Sequence, residues 1–188
     1  TVNGLSNITT LNGELRIYLT GLVDLAELAS ITSIGGGIRI SGNPALVDID
    51  VFSGITSLAG DLLISYNESL TNLDGLSALD ALSGNLFISN NAALVNLDGL
   101  AGITFVGDNL SIRSNAILPN VDGLFAIDSV GGNLVISTNA MLTDISGIAG
   151  VTYIGEDLEI AENDLLTEIT GPFAIEFIPR DLLIFSNP

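Results

Sequence analysis

Residues 84–100 read GNLFISNNAALVNLDGL, and this stretch recurs along the chain with a period of 24 residues. Its most constant member is an asparagine, represented here by Asn91. The same spacing places asparagines at Asn43, Asn67, Asn91, Asn115, Asn139, Asn163 and Asn187. Self-similarity at a fixed period of this length predicts a solenoid, in which each repeat forms one coil that buries its apolar face against neighbouring coils.

An alternating aliphatic pattern precedes each asparagine. An isoleucine stands three positions before it, and a leucine or isoleucine stands five positions before it. The pairs are Ile38/Ile40, Leu62/Ile64, Leu86/Ile88, Leu110/Ile112, Leu134/Ile136, Leu158/Ile160 and Leu182/Ile184. A period of two predicts a short strand with one face inward. Because the strand recurs once per coil in the same direction, the strands are expected to form a parallel sheet.

The remainder of each coil has apolar residues at intervals of three and, in three coils, the tripeptide Asp-Gly-Leu. No stretch carries the ten or more residues of helical pattern that a helix needs. We interpret the glycine as a source of positive φ and the aspartate as a partner for the turn backbone. The sequence therefore predicts a β-rich solenoid of about 7.5 coils with one parallel sheet of Leu-x-Ile strands, and turns, 3₁₀ segments or very short strands elsewhere.

The repeated asparagine lies just past the strand, where the chain must turn. An amide side chain has two donors and an acceptor, so stacked asparagines can satisfy the backbone of a buried bend. Replacing Asn115 by alanine is expected to leave backbone groups of the Asn91 and Asn139 bends unsatisfied. A ligand-binding asparagine ladder is the alternative interpretation.

The array is uninterrupted, so residues 1–188 are predicted to form a single solenoid domain. The first coil is irregular, because Thr20 stands where an asparagine is expected, and such departures are typical of terminal repeats. The last coil is expected to be truncated, because the sequence stops at Asn187-Pro188 in mid-coil.

Composition excludes several classes of function. The chain has 22 acidic and four basic residues, no histidine and a net charge of −18. Nucleic-acid binding is excluded, because it needs a cationic surface that releases counterions. The mean hydropathy of +0.59 is high, but apolar residues never form a run of 18, so membrane insertion is not expected. The acid-rich, lysine-free composition indicates an extracellular or cell-surface setting, and the absence of cysteine favours a bacterial or archaeal origin.

The stretch 84–100 and its copies resemble the leucine-rich-repeat coils of the receptor L-domain type, in the cysteine-free form found in bacterial surface and secreted proteins. The next leucine stands three positions after the asparagine, as in the L-domain coil, and the resemblance covers nearly the whole chain. The chain departs from animal receptor L domains in lacking cysteine and tryptophan. The resemblance implies recognition or adhesion without chemistry.

Candidate binding residues are those that point outward from the Leu-x-Ile strands, because contiguous exposed apolar groups mark interaction sites. Outward apolar residues are expected to be scarce elsewhere on so acidic a chain. The alternative is that these residues only satisfy β-propensity. The candidates are Arg39, Leu63, Phe87, Ser111, Val135, Ser65, Ser89 and Arg113.

No catalytic residue is assigned, because a chain without Cys, His or Lys cannot assemble the usual nucleophile–base pairs. No cofactor or metal is assigned either. The column Asp50, Asp74, Asp98 and Asp122, which ends in Ser146 and Thr170, is interpreted as turn chemistry. A calcium ladder along this column is the alternative, since Ca²⁺ prefers carboxylate and carbonyl oxygens.

The sequence thus predicts a non-enzymatic recognition or adhesion module that binds a protein, glycan or surface through the strand face. One alternative is a structural spacer in a larger adhesin. The other is an ice-binding rod, suggested by the column Thr32, Thr56, Thr104 and Thr152. Charged residues interrupt that column at Asp80, Asp128 and Glu176.

Overall fold

The computed structural model describes residues 4–169 and 174–188. Over these residues the chain winds as a stack of coils, each made of a four-residue strand, a 3₁₀ turn and, in most coils, a two-residue strand. This confirms the predicted β-rich solenoid of short parallel strands. Thr170, at the end of the aspartate column, lies outside the described residues.

The Leu-x-Ile strands form one parallel sheet, which has eight strands in the described part of the chain. They are β2 (Leu15–Tyr18), β4 (Ile38–Ser41), β6 (Leu62–Ser65), β8 (Leu86–Ser89), β10 (Leu110–Arg113), β12 (Leu134–Ser137), β14 (Leu158–Ala161) and β15 (Leu182–Phe185). Each strand pairs with the next along the chain in register with the repeat, so Leu86 faces Leu110 and Ile88 faces Ile112.

A second edge of the coil carries two-residue strands. They are β1 (Thr10–Leu11), β3 (Ser33–Ile34), β5 (Ser57–Leu58), β7 (Ala81–Leu82), β9 (Phe105–Val106), β11 (Ser129–Val130) and β13 (Tyr153–Ile154). Strand β1 pairs with β3, and the strands β5, β7, β9, β11 and β13 form a five-stranded parallel sheet within the described ranges. These strands are short because only one residue of each, such as Val106, points into the core.

The third edge is a stack of 3₁₀ helices. They are η1 (Ala26–Leu28), η2 (Asp50–Phe52), η3 (Asp74–Leu76), η4 (Asp98–Leu100), η5 (Asp122–Leu124) and η6 (Ser146–Ile148). Turns, 3₁₀ segments and very short strands are all present, as predicted. None of the helices in the described ranges has the length and apolar character that crossing a bilayer would need.

The inward residues of all three edges meet in one continuous apolar core. Ile40, Ile64, Ile88, Ile112 and Ile136 are completely buried. Burial of a leucine or isoleucine side chain contributes about 1.5–3 kcal/mol. Because each coil is too thin to enclose a core by itself, most of this burial is provided by the coils above and below.

The glycine of the Asp-Gly-Leu turn is required for a different reason from the one predicted. Among the described glycines only Gly4 and Gly42 have positive φ, so the interpretation of Gly75, Gly99 and Gly123 was wrong. A Cβ on Gly99 would overlap the carbonyl oxygen of Leu73 in the preceding coil. Glycine is therefore needed because successive 3₁₀ turns stack backbone against backbone.

The aspartate of this turn also has a different role from the one predicted. The backbone N–H of Asp98 donates to the side chain of Asn96, two residues earlier, at 3.1 Å. Asn72 and Asn120 do the same for Asp74 and Asp122. The preceding Asn side chain, and not the aspartate, forms the Asx turn that starts each of these 3₁₀ helices.

The stacked asparagines form a buried ladder, as predicted. The Oδ1 of Asn115 accepts the backbone N–H of Asn91 at 3.2 Å and the Nδ2 of Asn91 at 3.3 Å. The Nδ2 of Asn115 donates to the carbonyl oxygen of Ile88 at 3.0 Å. Asn115 thus serves backbone groups of the Asn91 bend and of strand β8. The expectation that the Asn139 bend also depends on it was wrong, because Asn139 accepts from Asn115.

Thr20 ends this ladder in the first coil. Its backbone N–H and its hydroxyl both donate to the Oδ1 of Asn43, at 3.1 and 2.6 Å. The hydroxyl also accepts the N–H of Leu22 at 3.3 Å. Threonine can replace asparagine here because the first coil needs a partner only toward Asn43.

The residue before each ladder asparagine adopts a left-handed backbone conformation. The φ values are 55° at Tyr66, 57° at Asn90, 55° at Ser114, 61° at Thr138 and 55° at Glu162. Non-glycine residues pay about 1–2 kcal/mol in this region. This cost is offset because the bend directs the following asparagine into the core, where it joins the ladder.

Candidate functional site

The candidate binding residues lie together on the outward side of the eight-stranded sheet, which we call the strand face. Because the strands pair in register, five of the candidate residues, one on each of five adjacent strands, form a row. Its members are Arg39, Leu63, Phe87, Ser111 and Val135. Neighbouring members are separated by one strand spacing of about 4.8 Å.

The other three candidates, Ser65, Ser89 and Arg113, form a second row at the ends of the same strands. The hydroxyls of Ser41 and Ser65 are 2.9 Å apart. The structure therefore brings all eight predicted residues onto one surface, although it does not make them equally accessible.

Two of the candidates are buried, contrary to expectation. Val135 is 7% exposed and Ser65 is 6% exposed. Arg113 on β10 reaches over strand β12, which contains Val135, to meet Glu159 on β14, with Nη2 and Oε1 3.4 Å apart. Ser65 is small and lies between Ser41 and Ser89 on the adjacent strands. Leu63, Phe87, Ser89 and Ser111 are half-buried, and Arg113 is exposed.

The Arg39 end of the row is occupied by an ion-pair network. Arg39 pairs with Glu14 through Nε and with Asp61 through Nη2, the latter at 2.5 Å. Burial opposes ionisation of Asp61, but hydrogen bonds from the backbone and side chain of Asn85, together with Arg39, hold the pKa of Asp61 below its usual range. Burial likewise opposes the charge on Arg39, and Glu14 and Asp61 outweigh it, so the pKa of Arg39 is raised. The guanidinium of Arg39 is thus occupied by carboxylates of the two neighbouring coils.

A depression of about 460 Å³ lies further along the strand face. It falls within the range of about 300–1,000 Å³ that is usual for ligand pockets. It forms because Ser111 and Val135 are shorter than the side chains beside them in the row. It is lined by Phe87, Asn109, Ser111, Arg113, Asn133, Val135, Asp157, Glu159 and Leu183.

Five lining residues were not among the predicted site residues: Asn109, Asn133, Asp157, Glu159 and Leu183. Asn109 and Asn133 belong to a second amide ladder, in which the Oδ1 of each coil accepts from the following coil: Asn133 donates to Asn109 at 2.8 Å through both its backbone N–H and its Nδ2. The signal for this ladder is an Asp or Asn directly before each of the last six strands of the sheet, β6, β8, β10, β12, β14 and β15, at the same 24-residue spacing. Its polarity is opposite to that of the buried ladder.

Large apolar residues are also exposed away from the strand face, so their expected scarcity there was wrong. Phe125 is 64% exposed and Tyr153 is 54% exposed. Ile117, Met141 and Leu165 occupy the same position of successive coils and are 45%, 49% and 44% exposed. Exposure of apolar groups by itself therefore does not distinguish the strand face.

The aspartate column lies on the exposed side of the 3₁₀ helices. Asp50, Asp74, Asp98 and Asp122 are all exposed and each begins its helix. Among residues 4–169 and 174–188, no group of three or more His, Cys, Asp or Glu side chains is arranged to hold a metal ion.

One further ion pair joins adjacent coils. Arg180 Nη2 and Glu156 Oε1 are 3.6 Å apart, and both side chains are substantially exposed. Pairs of this kind contribute about 0–1 kcal/mol. This contact stabilises the outer surface of the last coils only slightly and adds no chemistry to the site.

Comparison with protein-family models, with curated proteins and with solved structures finds no match for this chain. The functional interpretation consequently depends on the repeat, the strand face and the charge of the chain itself.

Proposed function

We propose that this chain is a non-enzymatic recognition or adhesion module that binds a protein, glycan or surface partner through its strand face. We further propose that it is a leucine-rich-repeat solenoid of the receptor L-domain type, in the cysteine-free bacterial form, acting outside the cell or at its surface. Fold alone does not imply function, so the proposal depends on the site.

The observation that carries the proposal is the depression between Phe87 and Glu159. It lies on a sheet whose strands are flanked at both ends by side-chain ladders. Binding sites on rigid elements lose little conformational entropy when a partner docks. An aromatic anchor surrounded by polar groups is the usual composition of an energetic centre of recognition. The 22 acidic residues and the absence of lysine support an extracellular setting.

Binding of a partner on the strand face distinguishes the proposed function from the two alternatives. A structural spacer needs no partner on the strand face. An ice-binding surface needs a regular column of threonines, and Asp80 and Asp128 are exposed within that column. The hydroxyl of Thr152 donates to the carboxylate of Asp128 at 3.0 Å, which further breaks the regularity.

The proposal is tested with labelled protein on a glycan array and on an array of extracellular-matrix proteins. Phe87→Ala is expected to weaken binding to whichever probe is retained by about tenfold or more, since aromatic anchors dominate recognition energy. Phe125→Ala is the matched control, because Phe125 is more exposed but lies just after η5, outside the strand face. Retention that responds in the opposite order, or no retention on either array, would contradict the proposal.

A further inference from the structure

The depression on the strand face presents donors and acceptors side by side. Arg113 uses one guanidinium nitrogen for a long contact of 3.4 Å to Glu159. Its other N–H groups, and the hydroxyl of Ser111, make no side-chain hydrogen bond to any residue of the described part of the chain. Arg113 can only donate, Glu159 can only accept, and the serine hydroxyl can do both.

The depression is also elongated along the row of outward residues. Phe87 and Glu159 stand three strands apart, with Ser111 and Val135 between them, and Leu183 continues the row beyond Glu159. Three strand spacings separate Phe87 from Glu159 by about 14 Å. A ligand that fills this length would contact the half-buried ring of Phe87, the apolar surface of Val135 and the polar pair Arg113–Glu159.

The local charge distinguishes between ligand classes. A carboxylate or phosphate ligand could reach the unengaged N–H groups of Arg113, but it would then lie beside the carboxylates of Glu159 and Asp157, which also line the depression and repel it. The whole chain, with a net charge of −18, repels anionic polymers as well. A cationic ligand could use the carboxylates, but it would have to compete with Arg113. A neutral ligand with several hydroxyl groups can use donor and acceptor together and leave the Arg113–Glu159 pair in place.

We propose that the depression between Phe87 and Glu159 binds an uncharged oligosaccharide. The apolar C–H face of one sugar ring would pack on the ring of Phe87, and vicinal hydroxyls would bond to Ser111, Arg113 and Glu159. Sugar rings suit such a surface because each combines an apolar face with a rim of groups that both donate and accept hydrogen bonds. This inference rests on the proposed strand-face function and specifies its ligand class.

The test uses an array that carries both neutral and acidic oligosaccharides, followed by calorimetric titration of the neutral oligosaccharide with the strongest signal. Phe87→Ala is expected to weaken binding of that oligosaccharide by at least tenfold, and Ser111→Ala by a few-fold. Phe105→Ala is the matched control, because Phe105 is exposed on the other sheet, and it should bind like wild type. Thermal unfolding of each variant shows whether a loss of binding is a loss of fold.

Glu159→Gln distinguishes a neutral ligand from a charged one. With a neutral oligosaccharide, the variant loses an acceptor and binds a few-fold more weakly, with little dependence on salt. Tighter binding by Glu159→Gln, together with a preference for acidic glycans, would overturn the inference in favour of an anionic ligand. Retention of a lysine-rich peptide that disappears at high salt would overturn it in favour of a cationic one.

The outcomes also separate this inference from the broader proposal. If no neutral oligosaccharide binds but a matrix protein does, and Phe87→Ala weakens that binding, the strand face is a recognition surface and the saccharide inference is wrong. If a neutral oligosaccharide binds and neither Phe87→Ala nor Glu159→Gln affects it, the site lies elsewhere and both proposals are wrong.

Discussion

Replacement of Asn115 by alanine tests the buried ladder, on which the stacking of the coils depends. The change removes the acceptor of the Asn91 backbone N–H and the donor to the Ile88 carbonyl, both of which are buried. Each unsatisfied buried backbone group costs about 1–3 kcal/mol, so the two together predict a loss of about 2–6 kcal/mol. The cavity left by the amide adds to this.

The assay is thermal and urea unfolding followed by circular dichroism. For a chain of this length, a loss of 1 kcal/mol lowers the Tm by about 2–4 °C, so Asn115→Ala should melt of the order of 10 °C below wild type. Asn96→Ala is the control, since Asn96 only accepts one N–H near the surface, from Asp98, and it should cost about 1 kcal/mol or less. Equal midpoints for wild type and Asn115→Ala would refute the reasoning.

Three further changes test other parts of the coil. Gly99→Ala should lower the free energy of unfolding in urea by at least about 2 kcal/mol, because the added Cβ would overlap the Leu73 carbonyl. Gly54→Ala is the control and should be neutral, because a Cβ at Gly54 meets open space. Equal losses in the two variants would contradict the stacking explanation. Thr138→Asn should raise the free energy of unfolding by about 0.5–1 kcal/mol, because asparagine tolerates the positive φ that a β-branched residue resists; a lower Tm would contradict this. Asp61→Asn should be less stable than wild type by about 1 kcal/mol at pH 7. The folded-state pKa of Asp61 is lowered, so the stability that the carboxylate contributes is present above its unfolded pKa of about 3.9 and is lost as the pH falls through the folded value. The difference in free energy of unfolding between wild type and Asp61→Asn should therefore disappear below about pH 4. A difference that stays constant down to pH 2 would contradict the ion-pair assignment.

The repeat made the architecture predictable, because its two periodicities are independent of each other. The 24-residue spacing of Asn91 and its copies indicates stacking, and the two-residue spacing of Leu86 and Ile88 indicates strands. Both are carried by many copies, so irregular positions such as Thr20 do not obscure them. The ladder was predictable for the same reason, since a buried bend needs an amide side chain to satisfy its backbone.

Other contacts between coils were not predictable from a single coil. The role of Gly99 depends on how closely the Leu73 carbonyl of the preceding coil approaches, and a local reading of Asp-Gly suggests only a turn. Val135 is buried because Arg113 extends over strand β12 to Glu159 on β14, a separation of 46 residues that no local pattern reveals. The depression likewise arises from a contrast in side-chain length between neighbouring coils.

The most direct test of strand-face recognition is a methyl-labelled NMR titration with a glycan or matrix protein that the arrays retain. The strand-face hypothesis predicts that the methyl signals of Leu63, Val135 and Leu183 shift or broaden as the ligand is added. The methyl signals of Ile117, Met141 and Leu165, which are exposed elsewhere on the coils, should remain unchanged. Perturbation of the second group without the first would contradict the assignment of the strand face as the binding surface.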